Sequence, residues 1–152
     1  NILCIFIYIK STCFSLLLSQ LYMKKDIDNR LDIELLVNAF YNEVKKDTLL
    51  YPFFVGLNAV QWQKHLERQY LFWENALFYK GGYLGNPLQK HRLIHQQMKI
   101  EEKHFKRWVY LFFSVTDSLF AGQMAELVKQ RAYNIAVVLK LKLHDGITDY
   151  KN

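Results

Sequence analysis

The sequence is short of cysteine, proline and glycine. Its 152 residues include two cysteines, two prolines and six glycines. Both cysteines, Cys4 and Cys13, lie within the first 22 residues. The rest of the chain therefore contains none, which excludes disulfides and thiolate zinc sites from it and is typical of a protein of the reducing cytoplasm.

Two functional signatures are also missing. No H-E-x-x-H pair and no cluster of carboxylates accompanies the histidines, which argues against a zinc hydrolase. The formal net charge is +6, but the basic residues are dispersed in pairs, whereas a nucleic-acid footprint would need them on one face. We therefore expect no nucleic-acid partner.

The first 22 residues differ in composition from the rest. They are apolar, with Lys10 as the only charge. Lys10 interrupts the apolar run and no small-residue cleavage site follows, so the segment fits a signal peptide poorly and a membrane anchor only weakly. Met23 precedes a charged stretch typical of a cytosolic start. We expect residues 1–22 to be an over-extended reading frame, and residues 23–152 to form one cytoplasmic domain.

What the chain does contain is helical periodicity. Hydrophobic residues make up 51% of it and aromatic residues 16%, enough for one core. Apolar residues recur every three or four positions between breaks at Pro52, Gly81–Gly82, Pro87 and Gly122. The pattern predicts an all-α domain of four longer helices and one short helix that begins at Pro87. The first helix is predicted to begin after residue 28 or 29 and to end near residues 45–47.

The second predicted helix carries polar residues on its apolar face. His65 and Gln69 are four residues apart and therefore neighbours, with Trp73 one turn further on. Buried polar side chains cost about 1–3 kcal/mol each unless they find partners. Either the two residues hydrogen-bond each other or Tyr41 of the first helix, or they face a bound polar ligand, and periodicity leaves both interpretations open.

Three of the four further histidines lie on the next two predicted helices. His91 lies on the short helix, where a lone histidine is more often a surface or capping residue than a ligand. However, the second helix and the longer helix that carries Trp108 would form the two walls of a slot. This arrangement favours a flat iron cofactor bound by one histidine. His95, one turn after His91, competes for the same role. His104 begins the next helix, where the pattern favours a capping role.

Six motifs then point to a known family. They are AFYNEV at 39–44, WQKH at 62–65, FWEN at 72–75, PLQKH at 87–91, HFKRW at 104–108, and the run 117–122 with QRA at 130–132. In this order they resemble the group III truncated haemoglobins of bacteria, over about residues 26–143. The resemblance implies a truncated globin, in which two helices pack over two around haem b.

The resemblance also implies roles for the matching residues. His91 is similar to the proximal ligand of the haem iron, with His95 as the alternative that spacing leaves open. Tyr41 is similar to the distal tyrosine that donates a hydrogen bond to bound ligand. The residues that resemble other parts of the haem pocket are His65 and Trp108 on the distal side, with Gln69 beside them, and Phe40, Trp73 and Leu88 as contacts of the cofactor.

The implied activity is binding of dioxygen, nitric oxide or other small ligands at five-coordinate iron. Several distal donors slow the escape of bound oxygen, so we expect redox chemistry of oxygen, nitric oxide or peroxide rather than bulk storage. Such an oxidoreductase, dioxygenase-like or peroxidase-like, would draw electrons from a reductase. The alternatives are a cofactor-free helical interaction module and, third, a zinc hydrolase built on His65, His91 and His95.

Overall fold

Five α-helices and one short 3-10 helix form the regular structure of the described part of the chain. The computed structural model describes residues 24–144, so the predictions for residues 1–22, including Cys4 and Cys13, lie outside the described residues. The elements are α1 (Arg30–Lys46), the 3-10 helix (Tyr51–Phe54), α2 (Ala59–Phe78), α3 (Pro87–Gln97), α4 (Glu102–Leu119) and α5 (Gln123–His144). Residues 24–144 contain no strand, which confirms the predicted all-α class.

Asparagine side chains begin three of the helices. Asn29, Asn58 and Asn86 precede α1, α2 and α3, and each side chain accepts a hydrogen bond from the backbone N–H three residues later. The first turn of a helix has no intrahelical partners for its N–H groups, so a cap of this kind stabilises the start. The predicted starts of the first helix and of the short helix are confirmed.

The longer helices pack as two pairs. α1 packs against α2, α4 packs against α5, and α1 also packs against α4 and so joins the pairs. The core between them is mostly aliphatic and aromatic, and its largest fully buried side chains include Phe40 and Phe112. This is the predicted two-over-two arrangement. Within residues 24–144, no helix is long and apolar enough to span a membrane.

The short helix α3 packs differently from the others. Its main partner among the helices is α5, and none of its residues is buried by the polypeptide. The polypeptide therefore fixes α3 by its ends and by one contact surface rather than by burial in the core.

Asp47 fixes the connection between α1 and α2. Its carboxylate accepts hydrogen bonds from the backbone N–H groups of Leu49 and Leu50, at 3.1 and 3.0 Å, and pairs with Arg107 of α4 at 2.6 Å. Burial works against ionisation, but these hydrogen bonds and the guanidinium outweigh it and lower the pKa of Asp47. The 3-10 helix that follows is thereby placed beside α1. Periodicity did not predict it, because Pro52 and Gly56 indicate a loop.

Candidate functional site

Four rings meet where α1, α2 and the 3-10 helix converge. Tyr41, Phe54, Trp62 and His65 form this four-ring cluster, in which each ring contacts the other three. The distances between ring centroids run from 4.8 Å for Tyr41 and His65 to 5.9 Å for Trp62 and His65. Every pair except Trp62 and His65 meets at a steep angle between the ring planes. This is the edge-to-face geometry that aromatic quadrupoles favour.

His65 is the polar member of the cluster that lacks a partner. Its Nε2 atom is buried and makes no hydrogen bond with any residue in 24–144. The suggested hydrogen bond from this atom to Tyr41 or Gln69 is therefore not formed, because His65 and Tyr41 meet through their ring faces and edges. Burial, and then the positive charges of Arg68 and of His91 when it is protonated, lower the pKa of His65 to about 4, so the imidazole is neutral at pH 7.

Tyr41 presents a hydroxyl in the same place. The residue is 6% exposed, and burial raises the pKa of its phenol well above the ordinary value. The hydroxyl therefore keeps its proton at every physiological pH and is available as a hydrogen-bond donor. Gln69 lies one turn after His65 on α2 and is half-buried.

A second group of rings continues from the four-ring cluster into the core. Phe40 contacts Tyr41 at 5.0 Å and Trp108 at 5.5 Å, and Trp108 stacks on Phe112 at 5.2 Å. Trp73 is 2% exposed and also stacks on Phe112, at 4.8 Å. The structure thus brings Phe40, Tyr41 and Trp108 into one continuous aromatic group, while Trp73 reaches Trp108 through Phe112.

His91 has a hydrogen bond that fixes its tautomer. Its Nδ1 atom lies 2.7 Å from the backbone oxygen of Pro87. A carbonyl oxygen can only accept, so Nδ1 carries the proton, and in the neutral ring Nε2 has a free lone pair. Burial lowers the pKa of His91, although the hydrogen bond to Pro87 works in the opposite direction. The ring is therefore neutral at pH 7, with Nε2 able to bind a metal.

His95 has the opposite arrangement. Its Nδ1 accepts a hydrogen bond from the backbone N–H of Ile100 at 3.2 Å, and its ring contacts the ring of His144 at 5.5 Å. The proton of the neutral ring is therefore on Nε2, and the side chain faces α5. Leu88, also on α3, packs against the edge of a second core cluster, as Trp108 does.

Two other histidine predictions can be compared with the structure. The Nδ1 atom of His104 accepts the backbone N–H of Glu101 at 2.8 Å, which confirms the predicted cap at the start of α4. Within residues 24–144, no three His, Cys, Asp or Glu side chains lie close enough together to share a metal ion. The three histidines suggested for a zinc site do not form such a group, because His95 turns toward α5.

Two residues of this region were not found from the sequence. Phe54 comes from the apolar connection after Pro52, where no period indicates which residues face inward. Phe112 follows Trp108 by four residues and so shares a face of its helix, but its place between Trp73 and Trp108 depends on how α2 and α4 cross. The only sequence signal for Phe54 was the density of aromatic residues in that connection.

Comparisons with known proteins agree with this architecture. No model of a known protein family matches the chain. The chain is 31% identical over 117 residues to the group 3 truncated hemoglobin ctb of Campylobacter jejuni subsp. jejuni. The aligned residues cover 75% of this chain and 90% of that protein. The crystal structure of group III truncated hemoglobin from Campylobacter jejuni matches with a TM-score of 0.70 and 28% identity, over 86% of this chain and 99% of that one.

Proposed function

The chain belongs to the group III truncated haemoglobins, and from that premise we propose that it is a haem protein that binds diatomic ligands. In this proposal His91 is the proximal ligand, and Tyr41, His65 and Trp108 face the bound ligand. Phe40, Trp73 and Leu88 contribute the apolar surroundings of the cofactor.

The observation that carries the proposal is the hydrogen bond of His91. Histidines that bind metals usually donate their second ring N–H to a carbonyl or carboxylate, which orients the ring and makes the ligating nitrogen more basic. The 2.7 Å contact between Nδ1 and the oxygen of Pro87 has this form. Haem held by Nε2 would supply an iron with one open coordination position for a small ligand.

The surroundings of His91 fit the cofactor. No residue of α3 is fully buried, and the half-buried Leu88 and His91 can contact a flat apolar group. His65 has a buried Nε2 with no partner in residues 24–144, a state that costs free energy in the polypeptide alone. A protonated His91 would lower the pKa of His65, so the two side chains lie in the same region of the molecule.

The distal residues support ligand chemistry rather than easy delivery. Tyr41 donates a hydrogen bond from a permanently protonated hydroxyl, and the indole N–H of Trp108 is a second donor. In this proposal Gln69 is a weaker donor or a brace for Tyr41. Strong donors retain a ligand that carries partial negative charge, so we assign the protein to redox chemistry of oxygen, nitric oxide or peroxide, with electrons from a reductase.

The cysteines of the chain bear on the type of haem that we propose. Covalent attachment of haem uses a C-x-x-C-H motif, and the sequence has none. The proposal is therefore haem b, bound without covalent links to the chain. The lack of cysteine in residues 24–144 also supports the reducing cytoplasm as the place where the protein works.

The experiment is a titration of the purified protein with haemin, followed by reduction and exposure to carbon monoxide. We expect saturation at one haem per chain, a sharp Soret band and a shift of that band with carbon monoxide. A cofactor-free interaction module would give only the broad spectrum of free haemin. A zinc protein would also lack the Soret band and would contain zinc by elemental analysis.

A further inference from the structure

A groove opens to solvent on the outer side of the four-ring cluster. It has a volume of about 380 Å³ and is lined by Lys45, Tyr51, Phe54, Leu57, Ala59 and Trp62. Two of these residues, Phe54 and Trp62, are also members of the four-ring cluster. Their rings contact the groove on one side and Tyr41 and His65 on the other. One layer of side chains therefore separates solvent from the two distal polar residues.

Lys45 lies over the outer member of that layer. Its Nζ atom is 4.4 Å from the ring centroid of Trp62, within the range of a cation–π interaction. Lys45 is exposed, and the contact joins the last turn of α1 to the first turn of α2. The neighbouring Lys46 instead pairs with Glu43 of its own helix at 2.8 Å. The two adjacent lysines thus differ in whether they contact the ring.

We propose that the Trp62 side chain is a gate through which small ligands reach Tyr41 and His65, and that Lys45 is the latch that keeps this gate closed. The inference rests on the proposed function, because it assigns the route by which a ligand arrives at the same site. A latch of this kind also accounts for the position of Lys45 over Trp62 at the mouth of the groove.

The backbone around Trp62 indicates which part of the gate moves. Asn58 and Gln61 form a reciprocal cap at the start of α2, and the N–H of Trp62 donates to the oxygen of Asn58 at 2.9 Å. This first turn is therefore fixed, and opening is a rotation of the Trp62 side chain. Rotation breaks the ring contacts of Trp62 with the cluster and the exposed cation–π contact with Lys45, which is a weak interaction in water.

A gate has a kinetic signature that a hydrogen-bonding residue lacks. It changes the rates of entry and escape by the same factor and leaves the affinity unchanged. A donor such as Tyr41 instead affects the escape of a polar ligand, and so the affinity. The ratio of the two rates distinguishes the two roles.

The test is carbon monoxide binding to the haem-loaded protein after flash photolysis, with dissociation measured separately. Lys45→Gln should raise both rates by about two- to five-fold, the range expected for loss of an exposed cation–π contact. The matched control, Lys46→Gln, should leave both unchanged. Trp62→Ala should raise both rates further, and more for a bulky isocyanide than for carbon monoxide. Trp62→Phe, which keeps a ring, should have a smaller effect.

A second measurement does not need the cofactor. In protein labelled with 5-fluorotryptophan, Trp62→Phe assigns one fluorine resonance, and Lys45→Gln should increase the solvent isotope shift of that resonance while Lys46→Gln does not. Equal rates in wild type, Lys45→Gln and Trp62→Ala would overturn the gate, as would a change in affinity without a matched change in both rates. If no haem binds, the proposed function fails, and the fluorine measurement still tests the latch.

Discussion

His91 and His95 lie one turn apart on α3, yet their Nδ1 atoms have opposite roles in hydrogen bonds. The Nδ1 of His91 donates to Pro87, while the Nδ1 of His95 accepts from Ile100. The neutral tautomers are therefore opposite, and only His91 has its Nε2 lone pair free. Sequence spacing treats the two residues alike, so this hydrogen-bond difference is what favours His91 as the ligand.

Tyr41 should control how long oxygen stays bound. A hydrogen bond to a charged group is worth about 1.5–3 kcal/mol, and the Tyr41 hydroxyl is buried and protonated. If the loss appears mainly in dissociation, Tyr41→Phe should raise the oxygen off-rate roughly ten- to a hundred-fold. Stopped-flow measurement of oxygen release checks this.

Two comparisons complete the Tyr41 measurement. Carbon monoxide carries little negative charge on its outer atom and should respond much less, and Gln69→Leu should change oxygen release in the same direction by a smaller factor. An unchanged oxygen off-rate in Tyr41→Phe would remove Tyr41 from the site. Equal effects on both gases would indicate a change of pocket shape.

His65 should make the stability of the haem-free protein depend on pH. Its pKa is about 4 in the folded chain and 6.5 in the unfolded one, so the unfolded state binds the proton first as pH falls. Stability should therefore decrease between pH 6.5 and pH 4, by about 3 kcal/mol from this residue.

Urea unfolding of wild type and His65→Phe at pH 7 and pH 4 measures that difference. Phenylalanine keeps a ring in the four-ring cluster but has no proton to bind, so the variant should lose less stability on acidification. The lowered pKa values of His91 and His104 also reduce stability as pH falls. Both proteins contain these two residues, so their effects cancel in the comparison. Parallel losses in the two proteins would contradict the assignment.

At the scale of elements, α3 depends on its cap. None of its residues is buried, and its first turn begins with Asn86, which accepts the N–H of Gln89 at 3.0 Å. Asn86→Ala should raise the rate of haem loss about fivefold, equivalent to about 1 kcal/mol. Transfer of haem to excess apomyoglobin measures the rate.

Asn58→Ala provides the matched control for this prediction. It removes the equivalent cap from α2, a helix that contributes Tyr70, Trp73 and Leu77 to the buried core. We expect it to lower the free energy of unfolding with little effect on haem loss. The cap at Asn86 would have no special role if both variants lost haem at the same rate.

The helices themselves could be predicted because their signals are local. Asparagine caps, Pro87 and the three-to-four-residue apolar spacing decide where α1 and α3 begin, and the structure agrees. The 3-10 helix and Phe54 could not be predicted, since Asp47 fixes them through Arg107, sixty positions away. Likewise, spacing placed His65 and Gln69 on one face but could not show that the His65 ring meets Tyr41 without a hydrogen bond.

At the scale of the whole molecule, the described residues build their own core. The buried apolar residues run from Ile27 to Leu139 and join both helix pairs. A polypeptide that begins at Met23 should therefore fold, bind haem and unfold at the same urea concentration as the full chain. Aggregation of the shorter chain, with normal folding of the full one, would give residues 1–22 a structural or membrane role.

Replacement of the two α3 histidines by glycine tests the central claim, that this chain binds haem through His91. Glycine has a lower helix propensity than histidine by the same amount at either position, so His91→Gly and His95→Gly are matched in that respect. We expect His91→Gly to lose stable haem, added imidazole to restore its Soret band, and His95→Gly to retain haem like wild type. Equal haem loss in both variants, or loss in His95→Gly alone, would contradict this claim.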